Sequence, residues 1–437
     1  MHKILLLLYT VFFITVVSCS NTVKSTETIK AVENTDSCKL DPNNIYEVYI
    51  PEKNPQEKLP LLVIIDAHGS GKFALKKFKQ AANQYPVVLV ASDFIKNGFE
   101  NYVGAMQTLI SDVQQKYPVG KTIFITGFSG GARMALGYAL NHQPQGLILC
   151  GALAGADQIN ALHCPVISIS GMDDFNFIET AQYLFQDNSI PGNLKIELTN
   201  ASHDWPDNKM LTNAFGFLWL STHAEDIPSP AKSQIKLYDQ NQLARIDSLK
   251  ESKDFIKAAL VSRNMSSTSP FNSDKTFESS YNELKANSDY SNQMNQLRNT
   301  LNFEIKARQP YIDAFSTKDS LWWKNEINSI NNKIEQEQDQ FKIDMYKRIK
   351  GFWGILCYSL GNQAVKQKDL QSLNKIISIY RMLEPENSYR IYLSAFPYFW
   401  KGNNKATIAV LKKAREEGFT EMSQLKQDFP ESIYSQM

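Results

Sequence analysis

The run Ile123-Phe124-Ile125-Thr126-Gly127-Phe128-Ser129-Gly130-Gly131-Ala132-Arg133-Met134-Ala135 sets a serine in a Gly-x-Ser-x-Gly pattern. β-branched and aromatic residues precede it and small residues follow, which predicts a strand, a sharp turn and a helix. Gly127 and Gly131 suit a turn so tight that a Cβ at either position would strike neighbouring backbone. The turn lifts the Ser129 hydroxyl clear of the strand end, at the positive end of a helix, where it can act as a nucleophile. A serine hydroxyl needs a base to take its proton and an acid to orient that base. After a turn of this type the order along the chain is serine, acid, histidine. Two histidines follow the strand expected at 166–170. His203 comes directly after the next strand, in Asn200-Ala201-Ser202-His203-Asp204-Trp205-Pro206, whereas His223 lies past the closing helix. His203 is the expected general base.

The acid should follow the strand before that histidine, and Gly171-Met172-Asp173-Asp174-Phe175-Asn176-Phe177 offers two carboxylates. Asp174, three residues after the glycine, fits the spacing better, and Asp173 is the alternative. A lone aspartate here would read as a helix cap; its place between Ser129 and His203 gives it a second use. The negative charge that develops on an attacked carbonyl needs two backbone N–H donors. Gly130 supplies one, and Ser70, in Asp66-Ala67-His68-Gly69-Ser70-Gly71, is the expected second, with Gly69 letting the backbone bend in close. His68 reads as structural. Gly69-Ser70-Gly71-Lys72 resembles part of a phosphate-binding loop, but Asp66 replaces its first glycine and Phe73 replaces the Ser/Thr that would hold Mg²⁺, so nucleotide binding is rejected. No cofactor and no metal ion enter this reading.

Elements that position these residues can be read from the apolar pattern. Segment 46–50 alternates and predicts an edge strand, while 61–65, 87–90, 122–126, 147–150, 166–170 and 194–198 are the apolar runs of strands buried on both faces. Helices are expected at 73–85, 102–117, 132–140, 177–185 and 209–220. Strand and helix alternate, so a mostly parallel sheet with helices on both faces is expected, an α/β class with short connections and no room for a large lid. Residues 42–225 form this domain, and 226–232 is a linker.

Past the linker the composition turns to Asn, Gln, Lys, Glu and Ser, and 233–437 predicts an all-α domain. Shifted by 34 residues, segment 360–380 overlays 394–414, and Pro385 sits where a helical hairpin would close. Both period and positions resemble tetratricopeptide repeats over about 351–420. Two such units do not bury their own faces, so helices within 298–350 should stack on them.

The N-terminus reads as a targeting signal. A basic Met1-His2-Lys3 precedes an apolar run too short to span a bilayer, which predicts a signal peptide over 1–18. Val16-Val17-Ser18-Cys19 resembles a bacterial lipobox, which implies lipidation of Cys19 and attachment to the membrane, in the envelope and facing the periplasm from the outer membrane, since Ser20 rather than aspartate comes next. Residues 19–41 read as a flexible tether. Cys150 and Cys164 fall at opposite ends of neighbouring strands, too far apart for a disulfide. The net charge of +1 and the lack of a basic run exclude a nucleic-acid surface.

The stretch 123–135 looks like the elbow of secreted feruloyl-esterase and polyhydroxybutyrate-depolymerase-type α/β hydrolases, and His203-Asp204-Trp205-Pro206 resembles the His-x-Trp-Pro around their histidine. The resemblance covers roughly 45–222. Asp66-Ala67-His68-Gly69 departs from the Leu-His-Gly form of that family. It implies an α/β-hydrolase fold and a serine hydrolase of carboxylic esters, on carbohydrate or small acyl esters, through Ser129, His203 and Asp174. A peptidase of the same fold stays open, because ester and amide cleavage share this machinery. So does an idle scaffold whose helical repeats bind a protein partner.

Overall fold

The computed structural model describes residues 29–437 except 55, 186–189, 223–224, 228, 230, 269 and 272–274. The signal peptide, Cys19 and His223 lie outside the described residues.

Runs of Val, Ile and Leu become an eight-stranded sheet in the order β1-β2-β4-β3-β5-β6-β7-β8. The strands are β1 (Val32–Ser37), β2 (Ile45–Ile50), β3 (Leu59–Ile65), β4 (Val88–Ser92), β5 (Val119–Phe128), β6 (Gly146–Cys150), β7 (Val166–Gly171) and β8 (Leu194–Thr199). β1 and β2 run antiparallel, β2 runs antiparallel to β4, and all other neighbours are parallel. This is the mostly parallel α/β-hydrolase arrangement expected from the sequence. Period-two alternation sends Leu61, Val63 and Ile65 to one core, and Leu62 and Ile64 to the other. Helices α2 (Tyr102–Lys116), α3 (Gly130–His142) and α5 (Phe177–Leu184) cover the first face. Helices α1 (Gly71–Gln84) and α6 (Asn208–Ser221) cover the second. The short α4 (Ala156–Asn160) lies between β6 and β7.

Two expectations change. The tether drawn through residue 41 ends sooner, because Val32–Ser37 pairs with β2 and Cys38 is buried in the first core. Accordingly β2 is an interior strand, not the edge. Nor does the domain end at the linker. Helices α7 (Lys232–Glu251), α8 (Phe255–Ser266) and α9 (Thr276–Ala286) place Tyr238, Ile246, Ala258, Val261, Phe277 and Leu284 in the second core. The amide of Asn264 accepts from Ile196 N at 3.3 Å and donates to Ile196 O at 2.9 Å. It thereby satisfies the backbone of Ile196 on the unpaired edge of β8, as a partner strand would at that residue.

The 30-residue α10 (Ser288–Thr317) joins two cores. Leu297 and Leu301 sit in the first core, and Ala314 and Phe315 in a third one. That third core gathers α11 (Ser320–Gln336), α12 (Gln340–Gln367), α13 (Leu370–Leu383), α14 (Ser388–Leu393), α15 (Phe396–Trp400) and α16 (Asn404–Glu416), with α17 (Met422–Asp428) and α18 (Glu431–Tyr434) after them. Trp323 on α11 and Trp353 on α12 are fully buried against each other. Helices α10 and α11 therefore pack on α12 and α13. In the second repeat-like hairpin the first helix is split into α14 and α15.

Four cysteines (38, 150, 164 and 357) are free and buried.

Candidate active site

Register brings the site together. Ile65 pairs with Gly127, Phe128 with Cys150, and Gly171 with Thr199. The C-terminal ends of β3, β5, β7 and β8 therefore fall in line, and the loops after them converge. In an open α/β sheet this is where ligands bind.

Ser129 stands at the tip of β5 with φ 54° and ψ −117°. That backbone is strained for a residue with a Cβ, and it persists because Ser129 N–H donates to Cys150 O at 2.8 Å. A Cβ on Gly127 would collide with Gly131 O, and one on Gly131 with Ile65 O. His203 Nε2 lies 2.8 Å from Ser129 Oγ, and His203 Nδ1 lies 2.9 Å from each Asp174 oxygen. Asp174 is 1% exposed and also accepts the Asn176 N–H at 2.7 Å. The three residues singled out in the sequence thus form a closed chain of hydrogen bonds. Asp173, the alternative acid, turns away and pairs with Lys347 Nζ at 3.0 Å. The rings of Phe128 and Phe175 flank the His203 imidazole, with centroids at 4.7 and 4.2 Å.

Trp205 fixes the facing loop. Its Nε1–H donates to Asp66 Oδ2 at 2.8 Å, and Asp66 Oδ1 accepts the N–H groups of His68 and Ser70 at 2.9 and 3.2 Å. The Ser70 N–H, expected to be the second oxyanion donor, is therefore already engaged. Among the described residues no acceptor faces the N–H of Ala67, which lines the same cleft as Ser129. Nor does one face the N–H of Gly130, at the start of α3. Sequence reasoning passed over Ala67 because a backbone donor leaves no mark on residue type. The signal available was register: Ala67 stands two residues after Ile65, as Ser129 stands two after its partner Gly127. Asn97 was also missed. It lines the cleft, donates its N–H to Ala67 O at 2.9 Å, and packs its amide against Gly130.

The phosphate-loop reading stays rejected, because the N-terminus of α1 is occupied. Gly71 N–H donates to the Asp93 carboxylate at 2.8 Å. Burial, reinforced by the nearby Glu47 carboxylate, pushes Asp93 up to about 6.

A cleft of about 940 Å³ lies above Ser129 and His203. Its far wall comes from the helical half: Lys347, Lys350 and Ile355 of α12, Tyr380 and Glu384 at the end of α13, and Phe419 and Glu421. His68, expected to hold its loop, instead meets Glu421 Oε1 through Nδ1 at 3.2 Å. That carboxylate raises the imidazole above its ordinary pKa. Groups of three or more His, Cys, Asp or Glu side chains arranged to hold a metal ion are absent among the described residues.

No family model matches the chain. No curated protein matches it either. Among solved structures it is similar to Est1E from Butyrivibrio proteoclasticus, at 15% identity and a TM-score of 0.34 over 42% of this chain and 95% of that one. It is also similar to a fungal esterase from Rhizomucor miehei, at 12% identity and 0.35 over 44% and 83%. A third likeness is to XC6422 from Xanthomonas campestris, described as an α/β serine hydrolase without lid, at 18% identity and 0.33 over 43% and 93%.

Proposed function

We propose that this chain is a serine hydrolase of carboxylic esters, carried on the membrane by an acylated Cys19. The observation that carries the reading is the closed chain Ser129 Oγ, His203 Nε2, His203 Nδ1, Asp174, with its nucleophile on a strained turn. Ser129 Oγ attacks the ester carbonyl while His203 Nε2 takes its proton. Asp174 holds the imidazolium that forms, without itself being protonated. The oxyanion faces Gly130 N–H and a second donor from the loop after β3, for which Ala67 N–H is free and Ser70 N–H would have to leave Asp66. Such a donor contributes about 3 kcal/mol to the transition state. Collapse expels the alcohol, which His203 protonates. Water, deprotonated by the same nitrogen, then releases the acid and frees Ser129.

The cleft supports an ester with a sizeable, hydrophilic alcohol part, such as a carbohydrate ester. Its volume is near the upper end for small-ligand sites. Its lining mixes apolar side chains such as Phe175, Ile355 and Phe419 with Tyr380, Lys350, Glu384 and Glu421, a combination that suits the apolar faces and the hydroxyl groups of a sugar together. Attachment through Cys19 rests on Val16-Val17-Ser18-Cys19. Among the described residues no helix is long and apolar enough to cross a membrane.

Full-length protein should hydrolyse p-nitrophenyl acetate and be labelled by a fluorophosphonate on Ser129. Ser129→Ala should abolish labelling and lower kcat by about 10⁶. Absence of both labelling and turnover in the folded parent protein would sink the reading.

A further inference from the structure

Asp174 must present its carboxylate to His203 Nδ1, yet it sits on a loop, 172–176, with few contacts of its own to the sheet. Within the loop, Asp174 N–H donates to Gly171 O at 3.2 Å and Asn176 Nδ2 donates to Gly151 O at 2.8 Å. Met172 N–H donates to Thr199 O of β8 at 2.9 Å, and Phe177 N–H donates to Asp174 O at 2.8 Å. Two further anchors come from a distant part of the chain. Arg348 on α12 donates through Nη1 to Met172 O, and Arg308 on α10 donates through Nη2 to Phe175 O at 2.6 Å. These two carbonyls bracket Asp173 and Asp174. One carboxylate aims both guanidinium groups: Glu304 Oε1 lies 2.7 Å from Arg308 Nη2, and Glu304 Oε2 lies 2.7 Å from Arg348 Nε. Glu304 and Arg348 are both 0% exposed. Lys347, next to Arg348, holds Asp173. The ring of Phe177, first residue of α5, lies beneath the Arg348 guanidinium at 5.1 Å.

Stability alone does not explain this cluster. Taking two guanidinium groups and a carboxylate out of water costs several kcal/mol per ion, roughly what their attraction returns, and apolar side chains of equal volume often do as well or better. What ions supply and apolar groups do not is direction, since a planar guanidinium donates along fixed lines. Both lines here end on the backbone of the loop that carries the acid.

We infer that Arg308 and Arg348, aimed by Glu304, are positioning residues that hold the Asp174 loop in its working geometry, so that the helical half is a part of the hydrolase and not an appended module. This rests on the proposed role of Asp174, and it assigns α10 and α12 a task separate from lining the cleft.

Arg308→Met and Arg348→Met in the full-length protein test it. The expected result is a fall in kcat for p-nitrophenyl acetate of about 10²-fold with little change in KM, as for a small misplacement of a reacting group. The low-field proton resonance of the His203 Nδ1–H bond to Asp174 should weaken or vanish. Arg308→Lys, which can still donate to Phe175 O, should recover part of both signals. Folded methionine variants with parental kcat and an intact resonance would overturn the inference. Should they fail to accumulate, Glu304→Gln, which keeps the shape of the aiming group and removes its charge, takes their place with the same two readouts, and unchanged values there overturn the inference equally. The resonance needs no substrate. A parent protein without esterase activity, whose resonance is nonetheless lost in Arg308→Met, would refute the esterase reading and leave the positioning role standing.

Discussion

Ser129 keeps a backbone conformation that serine disfavours, and the neighbouring glycines leave it no alternative. A non-glycine residue at such a φ carries about 1–3 kcal/mol of strain. Glycine adopts the same angles freely, at the cost of about 0.5–1 kcal/mol in chain entropy. Ser129→Gly should therefore unfold at a higher temperature than Ser129→Ala, although both lack the nucleophile. Thermal unfolding of the two inactive proteins checks it, and an alanine variant of equal or greater stability would refute strain at the turn. The residues of this site were legible to different degrees for a physical reason. In the proposed mechanism Ser129, Asp174 and His203 act through side chains, so the chemistry restricts their types and their order along the chain. The choice between Asp173 and Asp174 was open because adjacent aspartates are equivalent in a pattern. The structure separates them by their partners, Lys347 for one and His203 for the other. A second oxyanion donor in that mechanism would act through its backbone, and there the residue type carried no information.

Helix α1 begins directly after the loop that faces Ser129, and its first N–H rests on the Asp93 carboxylate. Burial lifts that carboxyl from its ordinary 3.8 to about 6. Linkage gives the sign. A carboxyl whose folded pKa lies above its unfolded one binds its proton more tightly in the folded state, so its penalty is absent below pH about 4 and complete above about 6. Asp93→Asn keeps an oxygen for the Gly71 N–H and removes the charge. It should raise the unfolding temperature at pH 8, by a stabilisation on the order of 1 kcal/mol, and the gain should shrink toward pH 4. An equal gain at both pH values would show that burial of the charge is not the cause. Among the elements, the parallel strands were legible because burial on both faces writes them as apolar runs. β1 was not, since Val-Glu-Asn-Thr-Asp-Ser is an antiparallel edge strand, exposed along most of its length, with no apolar face to read. The extent of the first domain was missed because α7 and α9 share the polar composition of the later helices, and the apolar run that packs on β8, that of α8 between them, is short.

At the scale of the molecule, the cleft has one wall from the sheet and one from the helices, and nothing local in the sequence says that the two halves face each other. That relation is set by α10, which runs from the first core to the third and carries Glu304 and Arg308 between them. A helical repeat read alone suggests a module for binding other proteins. Here α12 turns Ile355 into the cleft, at 37% exposure, and the loop after α16 supplies Phe419 and Glu421 to the same wall. If that wall contacts the alcohol part of the substrate, filling space on it should affect large esters and spare small ones. Ile355→Trp adds volume on a surface with open space before it, so the fold should accommodate it. For an acetylated xylo-oligosaccharide, kcat/KM should fall by about tenfold or more, since about 1.4 kcal/mol of lost contact or strain suffices for that. For p-nitrophenyl acetate, which occupies only the region near Ser129, kcat/KM should stay at the parental value. The ratio of the two substrates is the measurement, because it cancels any change in the amount of active enzyme. A parallel fall with both would mean that the substitution disturbs the Asp174 loop through α12 instead of narrowing the cleft. No fall with either would mean that large esters do not reach this wall, and that the far side of the cleft serves some other ligand.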